Sequence, residues 1–505
     1  MNTSRRHFLR RSAGALALAP IMPVRRLALQ GGSDGAPDDA ASRSPAGPGN
    51  PQEAWVARAR AEIPASTESL YFQTGGIGPA PEAVIEHVQE RLAFQNRSPA
   101  EPRISTEMAR IEPDLRAQLG RVFGAEAEEV ALTHSTSEGI AIAAWGLDWE
   151  PGDEVVISNQ EHPANVIPWY VLRDRFGIVI REIDLNTGTS LIDEVRGQLS
   201  DRTRMVSISH VSRNNGRTLR ADESAELGDL LRSRGVRYHL DGAQGPGCVA
   251  TDFRALGCDC YSTCGHKWLL GPKGTGALFV RRELLDDVQL SWAGSHSHAT
   301  MDYEGEYTLL PSAARYEFGT RGLADFAGFA RALEWMENIG LERIEERIQS
   351  LIDHAIETVD ATDGLGVSSP RSRPDRSGVF VVQLPDGCDA TQLYNDLRED
   401  EGILASPVRQ ERDFRLSSTS STPAPRSIPR SRPSQTGAPE RRSGSSNAAV
   451  ISSSSSSKSG PISIRPSRPP DCRCASPFRA SLIKRDKSDF ALCVSTFMGT
   501  VFAVR

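Results

Sequence analysis

The sequence predicts an α/β protein built on a mostly parallel sheet, followed by a smaller α+β unit, and three observations predict it. Between Ala54 and Ser417 short apolar runs alternate with helix-length stretches, the pattern of strand–helix–strand units. Three of these runs end in clusters of polar, chemistry-bearing residues, which is where a sheet of this class holds its ligand. From about Asp325 apolar residues recur at i, i+3 and i+4, the mark of amphipathic helices.

Along the chain, strands are expected at 129–134 (EVALTH), 153–158 (DEVVIS), 178–183 (IVIREI), 203–211 (TRMVSISHV), 236–241 (VRYHLD), 258–264 (CDCYSTC) and 275–280 (TGALFV). A helix is expected over 137–147 (SEGIAIAAWGL). After residue 320 come the amphipathic helices, a β-rich SGVFVVQL and a helix DATQLYNDLRED. At 505 residues the chain is too long for one ordinary core, since cores stop growing at roughly 250–300 residues. The division expected is a targeting segment at 1–30, a flexible linker at 31–53, a large domain at 54–320 with its N-terminal segment, a small domain at 321–417, and a tail at 418–505.

The net charge of −7 conceals two opposite halves. From Ser418 onward 14 Lys and Arg face 4 Asp and Glu, while the preceding residues carry 44 against 61. An acidic body argues against nucleic acid, which demands a basic footprint. The N-terminal SRRHFLR, with Arg5 and Arg6 ahead of Phe8 and Leu9, precedes an apolar stretch too short to cross a bilayer. It resembles a twin-arginine export signal, which implies passage through that machinery, a periplasmic or otherwise exported protein, and no stable membrane anchor.

Beyond Ser417 the composition collapses into Ser, Pro and Arg with no periodicity, as in disordered chain. The abruptness reads as a frameshift, with a basic regulatory tail as the competing reading. Cys258, Cys260 and Cys264 fall in one predicted strand, where an apolar face is the better reading than a metal site. His296 and His298 are read as loop residues.

Three strand ends carry chemistry. In THSTSEG, Thr136 and Ser137 open a helix whose free N–H groups and positive dipole end suit a phosphate, though capping alone would explain them. In HLDGAQ, Asp241 closes an apolar strand, where burial raises a carboxyl's pKa unless a cation opposes it, though taken singly it reads better as the cap of the next helix. In STCGHK, Lys267 follows a strand that keeps it from solvent, and an amine held out of water is a nucleophile toward aldehydes.

Together these ends resemble the fold-type I pyridoxal-phosphate enzymes, specifically the class V aminotransferase family, which includes the cysteine desulfurases, selenocysteine lyases and isopenicillin N epimerase-like proteins. The resemblance spans roughly Tyr71 to Ser417. It implies a seven-stranded sheet in the large domain and pyridoxal 5'-phosphate as cofactor. Lys267 would carry the cofactor as an aldimine and then serve as general base toward the α-carbon of an amino acid. Asp241 would face the ring nitrogen, Gln244 the ring's phenolic oxygen, and His162 of NQEHPANVIPW the ring face. Thr136, Ser137 and His266 would hold the phosphate, with Cys264 where many relatives have serine.

By the same resemblance Thr320 of YEFGTRG would reach the cofactor of a second subunit, implying a homodimer. Arg415 of DFRLS would clamp the substrate carboxylate, because a guanidinium fork fits it bidentately. Two departures stand out. The segment GILASPVRQERDFRLS lacks the nucleophilic cysteine of the desulfurases, and Arg213 replaces an asparagine common beside the cofactor. On this ground an aminotransferase or epimerase-like reaction is preferred. Desulfurase- or selenocysteine lyase-type β-elimination, or a catalytically impaired cofactor-binding protein, are the alternatives.

Overall fold

The computed structural model describes residues 51–407 and 413–417. The stretch that resembles a twin-arginine signal, most of the expected linker and the tail from Ser418 lie outside the described residues. The linker reading needs one correction, because a helix, Pro51–Glu62, already starts inside it.

Each expected strand forms. They are β1 (Val130–Thr133), β2 (Glu154–Ser158), β3 (Val179–Ile183), β4 (Thr203–Ser209), β5 (Arg237–Asp241), β6 (Cys260–Cys264) and β7 (Gly276–Val280). They join in one seven-stranded sheet of order β1-β7-β6-β5-β4-β2-β3. Only β7 runs antiparallel to its neighbours, β1 and β6, and the remaining pairs are parallel. Strands β1, β2, β6 and β7 are buried along their whole length, which is why they read as continuous apolar runs rather than as alternation.

A hairpin, β8 (His298–Met301) with β9 (Tyr307–Leu309), follows the sheet. It corrects the loop reading of this stretch: His298 begins β8, and His296 is exposed just before it. A second, four-stranded sheet contains β10 (Gly366–Val367), β11 (Val379–Gln383), β12 (Ser406–Pro407) and β13 (Asp413–Ser417) in the order β10-β11-β13-β12. The N-terminal segment returns to this second sheet, since Leu70–Tyr71 pairs in parallel with Ile403–Leu404 and Gln73 bridges Ser417.

Helices cover the sheets by burying one stripe each. Helix α1 (Glu82–Gln95) and α2 (Ile111–Phe123) pack on α4 (Leu323–Ile339), while α3 (Thr136–Trp145) lies on β6 and β7. In α5 (Leu341–Asp360) the buried residues Ile344, Ile348, Leu351, Ile352, Ala355 and Val359 recur at helical spacing. One continuous core holds residues of both sheets, from Val130 and Phe279 to Val379 and Phe414. The change at residue 320 is therefore a change of sheet, with no break in the core.

Candidate functional site

The C-terminal ends of β4, β5 and β6 lie side by side, because Ser209 is in register with Asp241 and Asp241 with Ser262. The site is built on this edge. Asp241 is 4% exposed. Its Oδ1 accepts the Ala243 N–H at 2.9 Å, and burial pushes its carboxyl upward while that bond and the Lys267 charge pull it down. Lys267 therefore stands close enough to Asp241 for its cation to be felt there.

Lys267 sits in the turn after β6 and is half-buried rather than sealed from water, which corrects the sequence expectation. Two features fix that turn. Gly78 N–H donates to the His266 carbonyl at 2.7 Å, and a Cβ on Gly78 would stand 1.9 Å from the Lys267 carbonyl oxygen. Leu270, which donates its N–H to that same oxygen, is held at φ 55°. A bulky residue in the left-handed region is strained, and such strain gathers at functional sites. Nothing in the run from Tyr261 to Val280 signals this strain.

Helix α3 begins beside this turn. Its N-cap is Ser135, whose Oγ accepts the Glu138 N–H at 3.3 Å, so Thr136 and Ser137 occupy the first turn rather than the cap. Thr136 Oγ1 is buried with the Cys264 thiol beside it and no well-placed hydrogen-bond partner, and His266 Nδ1 is likewise buried without one. Unsatisfied buried polar atoms are costly, and two of them near a helix N-terminus and a lysine fit a phosphate group. Ser137 is exposed. Burial pushes the Cys264 thiol up, opposed by the Lys267 charge, so it is a protonated packing residue.

Gln244 is buried with its amide engaged at both ends, donating to the Gly75 carbonyl at 2.7 Å and accepting from Trp268 Nε1 at 2.7 Å. A bond to a ring oxygen would compete with these. His162 is half-buried on the turn after β2, and its Nδ1 accepts the Ala164 N–H at 3.1 Å. That bond leaves the imidazole proton on Nε2. Arg415, on β13, is 7% exposed. Its Nη1 reaches the Arg213 carbonyl at 3.4 Å and its Nε is buried without a partner. Burial, with the Arg213 guanidinium nearby, brings its pKa down to about 10. A buried cation in that state calls for an anion.

Thr320 is exposed. Asn214 Nδ2 donates to the Gln160 carbonyl at 3.3 Å, and the Asn215 side chain accepts from the Arg217 N–H. The cysteines Cys258, Cys260 and Cys264 are buried free thiols. Among the described residues no group of three His, Cys, Asp or Glu is placed to hold a metal. A cavity of about 880 Å³ lies elsewhere, beneath the β8–β9 hairpin.

Sequence reasoning missed Glu161, a buried carboxyl whose charge interacts with that of Asp241. Its only signal was its place next to His162.

Against known proteins, residues 70–406 match the family model described as Aminotransferase class-V. The cysteine desulfurase of Klebsiella pneumoniae is 33% identical over 343 residues, covering 65% of this chain and 82% of that one. The cysteine desulfurase of Escherichia coli O127:H6 is 34% identical over 262 residues, 51% of this chain and just under two thirds, 63%, of its own length. Among solved structures, the apo cysteine desulfurase of Thermococcus onnurineus superposes with a TM-score of 0.66 at 25% identity, over 72% of this chain and 94% of that one. The cystine C–S lyase C-DES, in complex with its product cysteine persulfide, superposes at 0.67 and 24% identity over 71% and 95%, a likeness of fold.

Proposed function

Because the chain belongs to the class V aminotransferase family and is a pyridoxal-phosphate-dependent enzyme of fold type I, we propose that it breaks the carbon–sulfur bond of a cysteine-type amino acid. One observation about this chain carries the reading: Lys267, Asp241 and the unpartnered Thr136 Oγ1 and His266 Nδ1 meet at one sheet edge. The bond broken is taken from the relatives, which are named cysteine desulfurase. They weigh toward cleavage and away from the transfer or epimerisation preferred on the sequence alone.

The residues divide the work. Thr136, His266 and the first turn of α3 would hold the phosphate, Asp241 would oppose the ring nitrogen, and Lys267 would hold the cofactor covalently. When bound, pyridoxal phosphate supplies an electron sink for charge developing at the substrate α-carbon. Lys267 Nζ takes the α-proton, as an amine released from its covalent duty can. The positive charge of Arg415 holds the substrate carboxylate. The acceptor for the sulfur is external, because no cysteine lies between Cys388 and Cys472 to take it.

That same missing cysteine favours the second reading, transfer or inversion at the α-carbon, which needs no sulfur acceptor. The two readings differ in products. Elimination from L-cysteine releases sulfide with pyruvate and ammonium, and elimination from L-cystine releases cysteine persulfide with pyruvate and ammonium. Desulfuration of L-cysteine onto an external thiol gives that thiol's persulfide with alanine. Loss of α-hydrogen from a sulfur-free amino acid, with no sulfur released from cysteine or cystine, would overturn cleavage.

We also place the mature protein outside the cytoplasm, on the resemblance of its first residues to a twin-arginine signal. Changing Arg5→Lys together with Arg6→Lys should leave the protein in the cytoplasmic fraction. Unchanged export would remove that reading.

A further inference from the structure

Glu161 opens the turn that carries His162, and nothing in the division of labour above uses it. Strand β4 outruns its neighbour: its pairing with β2 ends at Val156 with Val206, so on that side the Ser209 N–H has no strand to meet. Every buried backbone N–H needs an acceptor, and Glu161 supplies it, Oε1 accepting from Ser209 N at 3.0 Å. Ser158 Oγ donates to the same oxygen at 2.5 Å, while Asn165 Nδ2 and Ser209 Oγ each donate to Oε2 at 2.7 Å. The carboxyl is 5% exposed and ties the end of β2, the His162 turn and β4 together. On the other side of Ser209, in register, stands Asp241.

We propose that Glu161 is a positioning residue for the cofactor site, whose ionisation sets the negative charge presented through Asp241 while its four hydrogen bonds hold the His162 turn. Burial and the Asp241 charge push the Glu161 carboxyl up to about 7, against the pull of its serine and asparagine donors. Its charge therefore changes in the neutral range. The groups bonded to it are Ser158 from β2, Asn165 from its own turn and Ser209 from β4. Ser207 bonds Asn165 and also His239 of β5, the charge of Asp241 reaches Glu161 and that of Lys267 reaches Asp241, and His162 and His210 are the chain neighbours of Glu161 and Ser209. Burial holds His210 down to about 4 and His239 down to about 3, so both stay neutral there.

The consequence is a pH step in cofactor affinity. An ionised Glu161 adds a second negative charge behind Asp241 and so favours a cation in front of it, by about fivefold for buried charges one or two strand spacings apart. The full-length protein is titrated with pyridoxal phosphate by equilibrium dialysis from pH 5.5 to 8.5, and the carbonyl stretch of the buried carboxyl is followed in the apoprotein by difference infrared spectroscopy. Wild type should bind more tightly than Glu161→Gln above neutral pH and equally below it, with a carbonyl band that titrates near neutral and is missing in Glu161→Gln.

Ser209→Ala removes one donor from the carboxylate and should move both midpoints up by about one pH unit. It also decides the matter if Glu161→Gln does not fold. A purely structural Glu161 would leave the step in place in Glu161→Gln, or leave the midpoints unmoved in Ser209→Ala, and either result overturns the inference. Because it rests on Asp241 as the cofactor-facing group, Asp241→Asn separates the failures. A step that survives in Asp241→Asn overturns that assignment, whereas one that survives in Glu161→Gln overturns the role of Glu161 alone.

Discussion

Lys267 and Arg415 show how two basic residues are put to different uses by their surroundings. Lys267 is half-buried in a turn braced by Gly78 and the strained Leu270, with a buried carboxyl opposite. In Lys267→Ala, borohydride treatment of the cofactor-loaded protein should fix no cofactor to the chain, as read by mass spectrometry; a fixed adduct would mean another lysine carries it. Arg415 lacks a partner on Nε, and its anion is expected from the substrate. Arg415→Ala should weaken amino acid binding by about 1.5–3 kcal/mol, roughly ten- to a hundredfold in KM. Cofactor affinity should stay unchanged, because Lys267 and Asp241 belong to the other sheet; a matching loss of cofactor would contradict this role. Lys267 was legible because it follows a strand that reads clearly in the sequence, and Arg415 only through the family resemblance of DFRLS. Glu161 was not, because its importance comes from Ser158 and Ser209, on strands whose relative registers no single segment encodes.

The strands of the main sheet illustrate the same division at the scale of elements. Buried on both faces, β2 and β7 announce themselves as apolar runs, and α5 by its helical stripe. The hairpin β8–β9 did not, since its residues are mostly exposed and carry no apolar alternation; nor did the pairing of Leu70 with Ile403, which joins segments more than three hundred residues apart in the chain. Three central strands are also cross-linked by a histidine: His239 on β5 bonds Ser207 Oγ on β4 at 2.8 Å and Ser262 Oγ on β6 at 2.9 Å. Burial holds its folded pKa down to about 3. Between that value and about 6.5 the unfolded chain binds a proton the folded chain refuses, so this contribution to stability is present at neutral pH and is lost as pH falls through the window. Glu161 and Asp241, both raised by burial, run the opposite way, which flattens the wild-type curve. Comparison with His239→Gln isolates the histidine. Below about pH 6 the variant should regain about 1.4 kcal/mol relative to wild type per pH unit, read from urea midpoints at pH 5, 6 and 7. Parallel curves would mean that His239 is charged in the fold.

For the whole molecule, the surface around Thr320 points beyond one chain. Trp292 is 66% exposed, Tyr303 98% and Tyr307 67%, and Trp292 pairs with the exposed Phe318, ring centroids 6.3 Å apart. Large aromatics gathered on a hairpin and its flank form a patch of the kind that another protein surface covers. The hairpin also roofs the cavity of about 880 Å³, lined by Leu285, Val288 and Leu309 among others. A second copy of the chain is the occupant we expect, because Thr320, two residues after Phe318, faces solvent in the single chain and would gain a cofactor phosphate to bind only across an interface. Light scattering should give about twice the mass of the 54.9 kDa chain. Tyr303→Asp with Tyr307→Asp buries charge at such an interface, and buried unpaired charge is costly; it should yield monomers that also hold pyridoxal phosphate less tightly. Thr320→Ala should lower cofactor affinity without changing the mass, which separates the residue's contact from its effect on assembly. A wild-type monomer that binds the cofactor fully would show that one chain completes the site alone, and Thr320 would then have no part in it.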